Sequence, residues 1–192
     1  NLFYNEPCAL LAEQLCLRTG MKKVFFSNSG AEANECAIKA AREYGERKKG
    51  VGYSTIITLR NSFHGRTLTT LAATGQEVFH EHFTPLTPGF VYAYANDMED
   101  VERLVGEHKC CAVMFEVVQG EGGVIALDRE FLTELSALAQ KEDLLLIADE
   151  VQIGNGRSGM LYGYMNYGIK PDIFTTAKGL GGGLPIGATV LG

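Results

Sequence analysis

One lysine stands apart among the residues able to do chemistry. Lys178 follows the apolar run Ile173–Thr176 and precedes Gly179-Leu-Gly-Gly-Gly183, a setting that no other lysine of the chain shares. Partial burial there lowers an amine's pKa, which suits a nucleophile that forms a Schiff base with a carbonyl. The glycines do not form a phosphate loop, because in that motif the lysine follows them and is itself followed by Ser or Thr. Asp149 ends a second apolar run, Leu144–Ala148. A carboxylate placed there needs a partner, either the protonated ring nitrogen of a cofactor or a structural arginine. Ser29 and Glu32 have the S-x-x-E spacing of a capping box, so a helix starts at this point. Gly30 and Ala31 carry almost no side chain, so an anion can reach the N–H groups at the positive helix end. An ordinary capped helix would show the same spacing.

Two further segments gather polar groups. Asn61-Ser-Phe-His-Gly-Arg66 places an aromatic, an imidazole and a guanidinium beside a glycine. Arg66 can grip a carboxylate by a two-pronged ion pair, or be a surface arginine. Glu116 and Glu121 flank Val-Val-Gln-Gly and could be an acid–base pair or partners for nearby cations. Taken together, these segments supply an anion site, an aromatic wall, an acid for a ring nitrogen and a Schiff-base lysine. That is the parts list for pyridoxal 5'-phosphate (PLP). His80 and His82 form an H-x-H pair without a third ligand at a workable spacing, so no metal is expected.

These residues need elements to position them. Strands are predicted at Val24–Ser27, Thr55–Leu59, Phe90–Tyr94, Ala112–Phe115, Leu144–Ala148, Ile173–Thr176 and Ala188–Leu191. Helices are predicted at Pro7–Thr19, Gly30–Lys49, Gly65–Ala73, Met98–His108 and Arg129–Glu142. Pro7 suits a first helical turn and Gly50 a helix end, while Asp97 and Asp128 are N-cap candidates. Continuously apolar strands alternating with helices predict an α/β domain, its central sheet mostly parallel and covered by helices on both faces. Ligands then bind beyond the carboxyl ends of the strands. Every candidate above lies just after one.

Composition narrows the class. An apolar share of 46% and a charged share of 21% are ordinary for a soluble globular chain. No stretch approaches the ~20 apolar residues of a membrane span. Arg47-Lys48-Lys49 closes a predicted helix, where cations offset the dipole, so nucleic acid is not an expected partner. Glycine supplies 23 of the 192 residues, which predicts many tight turns. Five cysteines without a CxxC spacing point to a reduced, cytoplasmic setting. The chain opens without Met and stops after an apolar run, so it reads as residues 1–192 of one large cofactor domain from a longer protein.

Five motifs in order, Asn28-Ser-Gly-Ala-Glu-Ala-Asn34, Phe63-His-Gly-Arg66, Glu116-Val-Val-Gln-Gly-Glu121, Asp149-Glu-Val-Gln152 and Ala177-Lys-Gly179, carry a resemblance along the whole chain. The chain resembles the ω-amino-acid (class III) aminotransferases of PLP fold type I. Through Phe63–Leu68 and Asn1–Pro7 it is most similar to the branch acting on N-acetylornithine. The resemblance implies the large PLP-binding domain, with an N-terminal segment and a small C-terminal domain outside the chain. It implies that Gly30 and Ala31 bind the phosphate and that Phe63 and Val151 cover the two ring faces. Asp149 pairs with the ring nitrogen, Gln152 reaches the ring hydroxyl, and Lys178 holds the cofactor and shuttles a proton. Arg66 grips the substrate carboxylate, and Glu121 pairs with an arginine of the absent part. Ser29, Glu116 and Glu150 support these contacts from behind. The implied reaction moves an amino group to 2-oxoglutarate in arginine metabolism, in a homodimer. Ornithine, succinylornithine and γ-aminobutyrate are competing donors, and a catalytically silent PLP-binding subunit or an aminomutase are competing readings. Ile153, where relatives usually carry Thr, and the Ala188–Gly192 ending depart from the pattern at no named contact.

Overall fold

The computed structural model describes residues 3–192, so Asn1 and Leu2 of the Asn1–Pro7 segment lie outside the described residues. Helix α1 (Glu6–Thr19) is capped by the Asn5 side chain and ends at Gly20, whose φ of 71° closes the last turn. Strand β1 (Lys23–Ser27) leads into α2 (Gly30–Lys49), and β2 (Thr55–Leu59) into the short α3 (Leu68–Ala73). Then follow β3 (Phe90–Ala93), α4 (Met98–Glu107) and β4 (Cys110–Phe115). A small hairpin, β5 (Val118–Gln119) with β6 (Ile125–Ala126), precedes α5 (Arg129–Glu142), β7 (Leu145–Asp149), β8 (Ile173–Thr176) and β9 (Gly187–Leu191).

The main sheet has seven strands in the order β1-β9-β8-β7-β4-β2-β3. It is mostly parallel, as the sequence predicts; β9 alone runs against both neighbours, β1 and β8. All six residues of β4 are buried because both faces are covered. On one face α2 seats Ala37, Ile38 and Ala41 against Ile56, Ala112, Met114 and Ile147. On the other, Leu132 and Leu135 of α5 and Leu104 of α4 pack on Val113, Phe115 and Leu146. Burying each of these larger aliphatic side chains contributes about 1.5–3 kcal/mol.

One predicted boundary moves and two unpredicted elements appear, each for a local reason. The helix expected from Gly65 starts at Leu68, because Gly65 has φ +135°, outside helical space, and Thr67 caps the first turn by accepting from the Thr70 N–H. The β5–β6 hairpin was not expected, because its glycine-rich turn hides two strands of only two residues each. Lys178–Gly181 forms a single 3-10 turn, a compact stop before Pro185.

Parallel strands put their carboxyl ends on one edge, and the reversed β9 brings its first residue to that same edge. Hence the segments after β1, β2, β4, β7 and β8 converge with the loop before β9.

Candidate active site

Those segments enclose a cavity of about 420 Å³. Its lining includes Ser29, Gly30, Ala31 and Asn34 from the start of α2, and Phe63 to Arg66 after β2. Glu116, Asp149, Val151, Gln152 and Lys178 complete it with the loop Leu184–Ile186. Ten of the sequence-derived candidates therefore share one hollow, Ser29 and Glu116 among them, and Glu121 and Glu150 do not line it.

At one end α2 begins. Ser29 caps it by accepting from the Glu32 N–H at 3.2 Å. Glu32 reaches back one residue further than a capping box requires, to the Asn28 N–H at 2.5 Å. The N–H groups of Gly30 and Ala31 find no acceptor among the described residues and face the cavity at the positive end of a 20-residue helix. Close packing explains the small residues. A Cβ at Gly30 would sit 2.7 Å from Val151 Cγ1, and one at Gly187 would strike the Ser29 carbonyl.

The floor is a buried polar network. Asp149 Oδ2 accepts from Asn34 Nδ2 at 2.8 Å and lies 2.8 Å from His64 Nδ1, while Oδ1 accepts from the Val151 N–H at 3.0 Å. Thr175 donates to Asn34 Oδ1 at 2.7 Å, which fixes the amide so that its NH₂ faces Asp149. The partner that Asp149 needs within the chain is thus a histidine, not an arginine. Burial alone would lower the His64 pKa, but the hydrogen bond to Asp149 and the charges of Asp149 and Glu116 outweigh it, and the pKa is raised. Glu116 accepts from the Phe63 N–H at 3.0 Å and is pushed up to about 7 by burial. This fixes the aromatic wall by its backbone.

Two expectations are corrected. Lys178 is exposed, so this chain does not supply the partial burial expected of it. The strand end delivers it to the mouth of the hollow, with no element above it among the described residues. Glu150 does not support the cavity. Its carboxylate turns to the opposite side and accepts from the Gly163 and Tyr164 N–H groups at 2.6 and 2.8 Å, where burial raises its pKa to about 7. Glu121 sits exposed on the turn of the β5–β6 hairpin, next to Gly120, which lies against the Gln152 carboxamide. Arg66 is exposed at the rim, its guanidinium 5.8 Å from the Phe63 ring centroid and 5.4 Å from that of Phe79. Those rings hold it in place by cation–π attraction. His80 turns Nε2 onto the Leu71 and Thr74 carbonyls.

Sequence reasoning missed Asn34 and Thr175. Each is a polar residue in an apolar stripe, Asn34 next to Ala33 and Ala37 on α2 and Thr175 within β8, and that mismatch was the available signal.

The family model for aminotransferase class-III matches residues 1–191. The chain belongs to the class-III aminotransferases. It is 56% identical over 191 residues, all of its length, to an acetylornithine aminotransferase from Haemophilus ducreyi, and covers 49% of that protein. It is 50% identical over 98% of its length to a succinylornithine transaminase from Salmonella paratyphi A, covering 46% of it. Among solved structures, a Toxoplasma gondii ornithine aminotransferase described as having partial occupancy of PLP at its active site matches with TM-score 0.91 and 30% identity. That match covers 98% of this chain and 45% of the other. The chain spans about half the length of the curated relatives it matches.

The residues of this class-III chain fit PLP. The free N–H pair of Gly30 and Ala31 suits a phosphate, the Phe63 and Val151 side chains border the cavity, and Asp149 presents a buried carboxylate to it. Lys178 lines the same hollow with φ 46°, a left-handed conformation uncommon for non-glycine residues.

The class-III site also depends on the close approach of Gly65 to α2. A Cβ there would lie 2.5 Å from Thr70 Oγ1 and 2.9 Å from Ala31 Cβ, at a φ that L-residues avoid. Gly65→Ala is expected to destabilise the protein by about 1–3 kcal/mol and to weaken PLP binding by displacing Ala31. Urea unfolding with and without PLP checks this; unchanged midpoints in both would refute it.

Proposed function

We propose that the complete protein carries PLP as its resident cofactor and transfers the ω-amino group of N-acetylornithine to 2-oxoglutarate, as a cytoplasmic homodimer in arginine biosynthesis. The observation that carries this reading is the placement of Lys178, Asp149 and the Gly30–Ala31 helix end around one cavity of about 420 Å³. The donor rests on the similarity to an acetylornithine aminotransferase.

When bound, PLP supplies a ring that accepts the electron pair released at the substrate carbon and carries the amino group between substrates. The Gly30 and Ala31 N–H groups would hold its phosphate, and Phe63 and Val151 would flank its ring. The Asp149 carboxylate, held by Asn34, His64 and the Val151 N–H, would keep the ring nitrogen protonated. Gln152 would reach the ring hydroxyl. Lys178 Nζ would hold the cofactor and then take and return the proton at the substrate carbon. Arg66 would grip the carboxylate of the acylated substrate at the rim, while Glu121 would pair with an arginine from the rest of the protein. Homodimer formation would cover Lys178, giving it the burial that this chain does not.

Mixing the PLP-loaded full-length protein separately with N-acetylornithine, succinylornithine, ornithine and γ-aminobutyrate, and following the visible cofactor absorbance, tests the reading. Fast loss with N-acetylornithine supports it. A preference for succinylornithine would move the donor to the second acylated ornithine, which the 50% identical Salmonella relative favours. Spectra that no donor changes would favour a catalytically silent PLP-binding subunit. Arg66→Ala is expected to raise KM for N-acetylornithine roughly 10- to 100-fold, as loss of a charge-assisted contact should, with kcat changed far less. An unchanged KM would remove Arg66 from the substrate site.

A further inference from the structure

Lys178 stands between two hollows. It lines the cavity described above and also a second one of about 550 Å³ on its other side, formed with Val151, Gln152, Asn155, Arg157 and Gly179. The exposed side chain makes no hydrogen bond or ion pair among the described residues, so its direction is set by its backbone. That backbone is itself unusual, with φ 46° at Lys178 directly after the extended Ala177.

Asn155 is the group that holds it. Its Nδ2 donates to the Ala177 carbonyl at 3.0 Å and to Thr176 Oγ1 at 3.0 Å, across 22 and 21 residues of chain. Ala177 O also accepts from the Leu180 N–H at 3.0 Å, so both lone pairs of the peptide entering Lys178 are used. Asn155 is left-handed too, at φ 58°, and a Cβ on Gly179 would lie 3.4 Å from its Cβ. Asn tolerates that conformation better than other side chains, and a tight loop there points its amide at the strand end.

We propose that Asn155 is a positioning residue for Lys178. By clamping the Thr176–Ala177 end of β8, it fixes the left-handed turn that aims Nζ into the 420 Å³ cavity and not into the hollow behind. This rests on the reading of Lys178 as the cofactor lysine. It assigns Asn155 no contact with substrate or cofactor.

The test uses the full-length protein and three variants. Asn155→Gly removes the amide while relieving the left-handed backbone, and Asn155→Asp keeps the size but presents an acceptor to the Ala177 carbonyl. Asn155→Ala removes the amide and strains the turn. The first readout is the rate at which added PLP becomes fixed to Lys178 by borohydride, located by peptide mapping. The second is the split between kcat and KM with the preferred donor. In all three variants the fixation rate and kcat are expected to fall about tenfold, the factor corresponding to one lost net hydrogen bond, with KM within about twofold. Because Asn155→Gly carries no strain, a normal thermal midpoint with slowed fixation separates aim from stability. Fixation at the wild-type rate in Asn155→Gly and Asn155→Asp would overturn the proposal. Absence of label on Lys178 in the wild-type protein would instead overturn the reading of Lys178, and the positioning role with it.

Discussion

Lys178→Ala in the complete protein is expected to abolish borohydride fixation of PLP at position 178 and to lower turnover by at least ~10⁴-fold, because in the proposed function one amine performs both attachment and proton transfer. The substitution should leave the fold intact. Lys178 is exposed, it makes no ion pair among the described residues, and alanine at φ 46° costs no more than lysine does there. Unfolding midpoints of wild type and variant should therefore agree within about 0.5 kcal/mol. The open space on both sides of the side chain adds a second expectation. Small primary amines should enter the vacated volume and restore part of the proton transfer, with rates rising in proportion to amine concentration. Normal turnover or normal fixation in Lys178→Ala would place the cofactor lysine elsewhere.

Much of this site could be read from the chain because its geometry is topological. When strands are buried on both faces, the residues following them gather at one edge, so Gly30, Phe63, Glu116, Asp149 and Lys178 could be joined before any contact was known. Reversal of β9 could not, since a strand covered on both faces has the same apolar run in either direction. Glu150 could have been separated from Asp149 by elementary alternation: successive residues of an extended strand point to opposite sides, and Glu150 accordingly serves the Gly163–Asn166 turn. The links from Asp149 to His64 and to Asn34 cross 85 and 115 residues, and no local periodicity encodes them. Lys178 exposure depends on what packs over the cavity, which lies beyond the reach of any motif within the chain.

Asp149→Asn is expected to reverse the titration of His64. In the wild-type chain, burial pulls the imidazole down from 6.5, while the Asp149 hydrogen bond and the charges of Asp149 and Glu116 raise it further than burial lowers it. With a neutral amide at 149, burial opposes only the Glu116 charge, the smallest of these effects, so His64 should titrate below 6.5. Imidazole resonances in NMR spectra across the pH range report this directly, and a His64 that still titrates above 6.5 would refute it. The sign for stability follows. A group whose folded pKa is raised contributes stability that is fully present below its unfolded value and lost as pH rises through the folded one. Wild-type stability from His64 should thus decline as pH climbs past 6.5, and Asp149→Asn should lack that decline. Activity should fall about 10²–10³-fold, because an amide does not hold a proton on a ring nitrogen as a carboxylate does. Asp149→Ala should be worse in both respects. It removes the acceptor shared by Asn34 Nδ2, the Val151 N–H and the buried His64 Nδ1, leaving Asn34 Nδ2 only the His64 carbonyl, and breaking the buried His64–Asp149 pair costs about 3–5 kcal/mol. The contrast between the two variants would divide the proposed role of Asp149: the charge would serve the cofactor, while the acceptor oxygens join Asn34, His64 and the Val151 N–H.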